Sequence, residues 1–174
     1  TKKLQEAIVG AQNLGIEKSN NEIKEEHVLY AILETKDNII KPVLEKINLN
    51  FSEFVNFIKS IVDKLPVVGS MSQHPTPSLS LSKLLIKAEK KSTEMNDSFV
   101  STEHFFIASI EDNSVLKSYF SERGKSPADL IKVIIDIRSG AKIDSEEGEN
   151  KLRALEKYTK DLTELARKGK IDPV

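Results

Sequence analysis

Glu25-Glu26-His27-Val28-Leu29-Tyr30-Ala31-Ile32-Leu33-Glu34 decides the fold, because it returns 77 residues later as Thr102-Glu103-His104-Phe105-Phe106-Ile107-Ala108-Ser109-Ile110-Glu111. The same offset pairs Leu4 with Leu81, Ala11 with Ala88 and Glu17 with Glu94. Apolar positions follow it too: Ile8 with Leu85, Ile23 with Val100, Leu29 with Phe106, Leu33 with Ile110. Past the second segment the offset drops to 76, pairing Ile39 with Val115, Val43 with Tyr119, Phe54 with Leu130 and Ile58 with Ile134. One register held over about 60 residues, with a single loop deletion, is an internal duplication. Two copies are too few for a solenoid, so the expectation is a pseudo-two-fold pair sharing one core.

Working outward from that segment, each copy reads as four helices. Leu4, Ile8, Ala11 and Leu14 give one stripe at helical spacing. His27 to Leu33 read as a short, mostly apolar central helix. Ile39, Ile40, Val43, Leu44 and Ile47 give a third. Asn50 opens the fourth, with Glu53 completing a capping box and Phe54, Phe57, Ile58, Ile61 and Val62 as its buried face. The second copy has stronger start signals. Ser126-Pro127-Ala128-Asp129 places a cap, a first-turn proline and a first-turn acid. Ser101 caps the central helix where the first copy has Lys24. No strand-like alternation is found. The fold class is therefore all-α: two pseudo-two-fold repeats of a four-helix motif, about eight helices. The duplicated domain covers residues 1–139, with repeat 1 at 1–65 and repeat 2 at 79–139. The prolines and glycine from Leu65 to Ser78 mark a loop between them. Polar, acidic residues 140–151 read as a linker. Leu152, Leu155, Tyr158, Leu162 and Leu165 then begin a further, truncated domain over 152–174.

Composition narrows the function classes. Net charge is −1, which leaves no overall field for nucleic acid or an anionic membrane. Lys87, Lys90 and Lys91 lie among acids and read as a solvated helix face. There are no cysteines, which excludes thiolate catalysis and cysteine-ligated zinc. No apolar run approaches the roughly 20 residues that span a bilayer. Phosphate-loop, dinucleotide and serine-elbow motifs are absent. His27 and His104 follow a glutamate at the same repeat position. That pattern suits either a metal or acid–base pair across the dyad, or helix-start histidines making local hydrogen bonds; the second reading is adopted, and no metal site is expected. His74, among prolines, is expected at the surface. These residues read as a binding module, not an enzyme.

With the repeat and the tail together, the chain resembles the N-terminal domain of the Clp/heat-shock 100 AAA+ unfoldases. The resemblance rests on the doubled Glu-His-x-x-x-Ala segment, on Leu65-Pro66, on Asn96 to His104, and most specifically on Leu155 to Val174. Tyr158 with Asp161 is more similar to the ClpB-type disaggregase branch. The resemblance implies a parent AAA+ ATPase, a homohexamer that uses ATP and Mg to thread polypeptides, with 152–174 opening its first nucleotide-binding domain. This domain would need no cofactor and would be a monomer when isolated. It would capture exposed apolar segments of unfolded or aggregated polypeptide. The alternative is docking of an adaptor or translocon subunit, as in a protease partner or protein-export motor; a third reading is a structural cap. By resemblance, the substrate-engaging positions are Thr1, Asp97 and Glu103, and apolar groove positions are Leu81 and Leu85. At Lys87 the chain departs from the family's apolar pattern. The compartment stays open among bacterial cytosol, an organelle and a parasite export compartment, since residue 1 is not Met and a targeting segment can have been trimmed.

Overall fold

The computed structural model describes residues 1–69 and 74–149. The truncated domain expected at 152–174 lies outside them, as does the middle of the inter-repeat loop. Among the described residues the chain forms α1 (Lys2–Glu17), β1 (Glu22–Ile23), α2 (Glu25–Glu34), α3 (Ile40–Lys46), α4 (Phe51–Asp63), β2 (Thr76–Pro77), α5 (Leu79–Glu94), α6 (Thr102–Asp112), α7 (Ser114–Glu122) and α8 (Pro127–Arg138). Helices α1–α4 and α5–α8 are the two copies.

The helix starts are chemically equivalent across the copies. Thr1 Oγ1 accepts Leu4 N–H at 3.2 Å, and Ser78 Oγ accepts Leu81 N–H at 3.1 Å. Each satisfies a donor that the first helical turn leaves open. At α8, Ser126 Oγ accepts Asp129 N–H at 3.2 Å while Asp129 Oδ2 accepts Ser126 N–H at 2.8 Å. Asn50 caps α4 through Glu53 N–H at 2.9 Å, but Glu53's carboxylate turns to Arg123, so only half of the expected box forms.

Burial on the first helix departs from the Leu4–Ile8–Ala11–Leu14 stripe. The buried line is Leu4, Ala7, Ala11 and Gly15, and α5 repeats it as Leu81, Leu84, Ala88 and Ser92. Steps of three and four residues track one face of a 3.6-residue helix. At Gly15 the helix face meets Ile23 closely: a Cβ would come within 2.3 Å of Ile23 Cδ1, so a larger residue would have to displace that side chain. Ile8 falls to the side of this face.

Helices α2 and α6 occupy the centre. Every residue of α6 from Thr102 to Ile110 is buried. Helix α5 lies on α6, α1 on α2, and α3 packs against α8. The copies share one core, joined by aromatic rings: Phe54 of α4 stacks on Phe120 of α7 at 5.5 Å and meets Tyr119 edge-on at 5.3 Å.

One feature departs from an all-helical reading. β1 and β2 pair in parallel, Glu22 opposite Thr76 and Ile23 opposite Pro77. Thr76 N–H donates to Asn21 O and Ser78 N–H to Ile23 O. Two residues are too short to show alternation, and Pro77 sits where no N–H is needed.

Candidate functional site

The second copy's central helix begins inside a buried polar cluster. Ser101 Oγ caps it, and the imidazole of His104 reaches back so that Nδ1 accepts Ser101 N–H at 2.8 Å. Nε2 of the same ring faces Asp97 Oδ2 at 2.7 Å. Asp97 also receives both terminal nitrogens of Arg138 at 2.6 and 2.8 Å, a bidentate pair, and Ile143 N–H at 2.9 Å. Arg138 Nε lies 3.5 Å from Glu103 Oε2, and its guanidinium also donates to Ala141 O at 3.0 Å. Glu149 closes the cluster, accepting from Thr1 Oγ1 at 2.6 Å, from Thr102 N–H at 3.2 Å and from the Thr102 hydroxyl.

Burial raises the Asp97 carboxyl, but Arg138, the Ile143 amide and His104 outweigh it, and its pKa sits below the usual value. Burial pushes the His104 pKa down despite Asp97. The first copy has an uncharged counterpart: His27 Nδ1 accepts Lys24 N–H, and Nε2 pairs with Asn20 Oδ1 at 2.9 Å. Both histidines thus make the local helix-start bonds expected of them. His74 is exposed. Among the described residues, no group of three or more potential ligands is placed to hold a metal ion, and no helix is long and apolar enough to cross a membrane.

The five positions implied by resemblance do not share one surface. Thr1, Asp97 and Glu103 are buried, and Leu81 is a core residue only 2% exposed. These four residues together offer almost no surface for a polypeptide to touch. Leu85 is partly buried at the edge of the core. The repeat explains the difference: Leu81 stands in the register of Leu4 on the buried line, and Leu85 in that of Ile8 beside it.

The surface carries other apolar groups. Ile8 and Val9 on α1 are 37% and 59% exposed, and Ile86 on α5 is 57% exposed. Val9 and Ile86 occupy the same repeat position, as do Ile8 and Leu85. Leu79, seven residues before Ile86 and so on the same face of α5, is also exposed. The 77-residue offset already held this signal, since an apolar pair beside the buried line recurs in both copies. Lys87 is paired with Glu111 at 3.0 Å and with Asp112, and Lys91 with Glu111 at 2.9 Å, so these lysines are tied to acids of α6.

A groove of about 680 Å³ opens between α4 and α7, lined by Phe57, Val115, Tyr119, Arg123 and Glu53 among others. Tyr119 stacks on Phe57 at 4.4 Å and the Arg123 guanidinium covers the other aromatic face at 3.6 Å. At the equivalent place in the pseudo-two-fold, Ile39 is buried and α3 packs on α8. Tyr119 stands where the first copy has Val43, and Phe57 where the second copy has Val133, so the aromatic lining is particular to this side.

A family comparison fits this duplicated architecture. Residues 1–123 match the Clp repeat (R) N-terminal domain. The chain belongs to this family. The Clp N-terminal domain is similar over its whole length to the chaperone protein ClpB of Bdellovibrio bacteriovorus, at 34% identity over 175 residues, 100% of this chain and 20% of that protein. The chain therefore spans about one fifth of the length of such relatives. Its fold is similar to the Hsp104 N-terminal domain of Candida albicans, with a TM-score of 0.74 and 25% identity, covering 83% of this chain and 95% of that one. A ClpV N-domain, solved in complex with VipB peptide, shares the fold at a TM-score of 0.59 and 24% identity, covering 75% of this chain and 83% of that one.

Proposed function

We propose that this Clp N-terminal domain captures exposed apolar segments of unfolded or aggregated polypeptide and presents them to the ATP-driven threading ring of a longer, ClpB-like protein. The observation that carries the reading is the apolar pair that recurs beside the buried line, Ile8–Val9 on α1 and Leu85–Ile86 on α5. Folding leaves Ile8, Val9 and Ile86 exposed and Leu85 partly buried at that register of the duplication. In this reading Thr1, Asp97, Glu103 and Leu81 act from beneath, Leu81 as a core residue of α5 and the other three in the polar cluster at the start of α6, while Leu85 and Ile86 meet the polypeptide. ATP and Mg would bind other parts of the longer protein, a homohexamer.

Two Leu-sized contacts, each contributing about 1.5–3 kcal/mol on burial, leave only roughly millimolar affinity after ordering costs. Several tethered copies raise capture through effective concentration. The test is an NMR titration with a permanently unfolded polypeptide. Shifts should centre on Leu85, Ile86, Ile8 and Val9, and those on α5 should need about tenfold more ligand in Ile86→Ser. An absence of shifts at these residues at about millimolar ligand would sink the assignment.

The ClpV N-domain's complex with VipB peptide favours a second reading, docking of a segment from one dedicated partner, such as an adaptor or translocon subunit. A single stoichiometric folded partner, competing with unfolded chain for the same shifts, would support it.

A further inference from the structure

Residues 141–149 read as a linker, yet they lie against the domain along their whole length. Ile143 is fully buried, outside the main core cluster. Its carbonyl accepts Ser98 N–H at 2.9 Å and its N–H donates to Asp97 Oδ1 at 2.9 Å. Gly148 folds back on it so closely that a Cβ would sit 3.1 Å from Ile143 Cγ2. Further along, Glu146 O accepts Lys2 N–H at 2.9 Å and Glu149 sits between Thr1 and Thr102. Lys142 Nζ donates to Met95 O at 2.8 Å.

We propose that Asp97 and Arg138 form a clasp that holds residues 141–149 as a releasable strap, giving the tether that leads into residues 150–174 a docked and a freed state. Asp97 is the shared point. One carboxylate takes the guanidinium from the end of α8, where the strap departs, and the Ile143 amide from the strap itself. Arg138 adds Ala141 O, the first strap residue it reaches. Asp97 and Arg138 are thus positioning residues for the strap. The strap is otherwise held by the Ile143 side chain, by the Glu149 carboxylate between Thr1 and Thr102, by Lys142 on Met95 O and by a few backbone bonds, with its remaining acids facing solvent, a smaller hold than that of the core helices, which places it among the elements that open before the core. Its exposed Asp144, Glu146 and Glu147 repel one another and favour extension once freed. Docked, the following chain starts from a fixed place beside the N-terminus of α6. Freed, nine flexible residues add a reach of about 15–18 Å. This inference concerns the chain's own mechanics and stands apart from which polypeptide the domain captures.

The experiment uses the 174-residue chain. Because it lacks cysteine, Asp144→Cys gives a unique spin-label position on the strap. The label should report slow motion in the otherwise unmodified chain and fast motion in Ile143→Ser and in Arg138→Lys, which keeps the charge but loses the bidentate fork. Amides of α6 should keep their protection in Ile143→Ser. In the unmodified chain the Ile143 amide and the Arg138 guanidinium protons should exchange through one shared opening, about tenfold or more faster than α6 amides. A label equally mobile with and without Ile143 overturns the strap. An Ile143 amide that exchanges only at the α6 rate overturns its release. Separate openings for Ile143 and Arg138 overturn the clasp, and this readout holds even if Arg138→Lys does not fold.

Discussion

His104 donates from Nε2 to Asp97 Oδ2 at 2.7 Å, and the direction of that bond is fixed on the other side of the ring. Nδ1 accepts Ser101 N–H, and a backbone amide can only donate, so Nδ1 carries no proton and Nε2 must. His27 is set the same way by Lys24 N–H and Asn20. Protonating either ring at Nδ1 breaks the reciprocal half of a helix cap.

Domain stability should therefore fall in mild acid. Burial lowers the pKa of both His27 and His104 below the ordinary 6.5. The unfolded chain then binds more protons than the native one as pH drops below 6.5, so stability rises with pH. The contribution is complete above pH 6.5 and is lost progressively below it, by up to about 1.4 kcal/mol per histidine per pH unit. Urea midpoints at pH 7.5, 6.5 and 5.5 measure it. A flat profile across that range would falsify the fixed-tautomer argument. Asp97, whose pKa is lowered, adds a second loss only in stronger acid.

Removing Arg138 should be costly out of proportion to its place at a helix end. Its side chain is almost wholly buried against Asp97 and Glu103. Arg138→Ala leaves both carboxylates buried without their cation, a loss of about 3–5 kcal/mol. The double variant Arg138→Ala with Asp97→Ala should lose less than the sum of the two singles, since the Asp97 charge is no longer left without Arg138. Additive losses from denaturant unfolding would show that the pair does not act as a unit.

The two central helices start unequally, and that inequality is a stability reserve. Ser101 gives α6 a side-chain cap, whereas Lys24 has no side-chain oxygen to offer α2. The backbone at Lys24, φ −106 and ψ 167, already suits a capping residue. Lys24→Ser should stabilise the domain by about 0.5–1 kcal/mol, and Ser101→Ala should cost about 1 kcal/mol. Thermal melts of both, compared with the parent, decide the matter; an unchanged Ser101→Ala would refute the capping account.

The duplication made the fold legible, because a register repeated at 77 residues fixes which helices correspond and makes one shared core the economical packing. The caps at Ser101 and Ser126 were legible for the same local reason. What the sequence could not place was anything decided by a contact distant along the chain. Ile8 and Ala7 are both apolar, and only the packing of α1 on α2 and β1 settles which side of α1 is buried. Arg138 reads as an ordinary last-turn cation until Asp97, 41 residues earlier, is found beneath it. Ile143 is the lone large apolar group in an acidic run, which is the one mark by which the strap could have been suspected.

The sharpest separation of core from surface falls within a single helix. Leu81 and Ile86 are both apolar residues of α5, but Leu81 is buried on the Leu81–Leu84–Ala88–Ser92 line and Ile86 is exposed. Leu81→Ala should cost about 2–5 kcal/mol through lost burial and a cavity, and any weakening of polypeptide binding should track the unfolded fraction. Ile86→Ser should change stability by less than about 0.5 kcal/mol while weakening binding to unfolded polypeptide by about tenfold, the equivalent of roughly 1.4 kcal/mol. Leu85→Ser, at the border, should show both effects in part. Paired denaturation and titration on the three variants would separate them. Should Ile86→Ser bind normally while folded Leu81→Ala does not, the contact surface lies elsewhere, and the groove between α4 and α7 becomes the surface to probe.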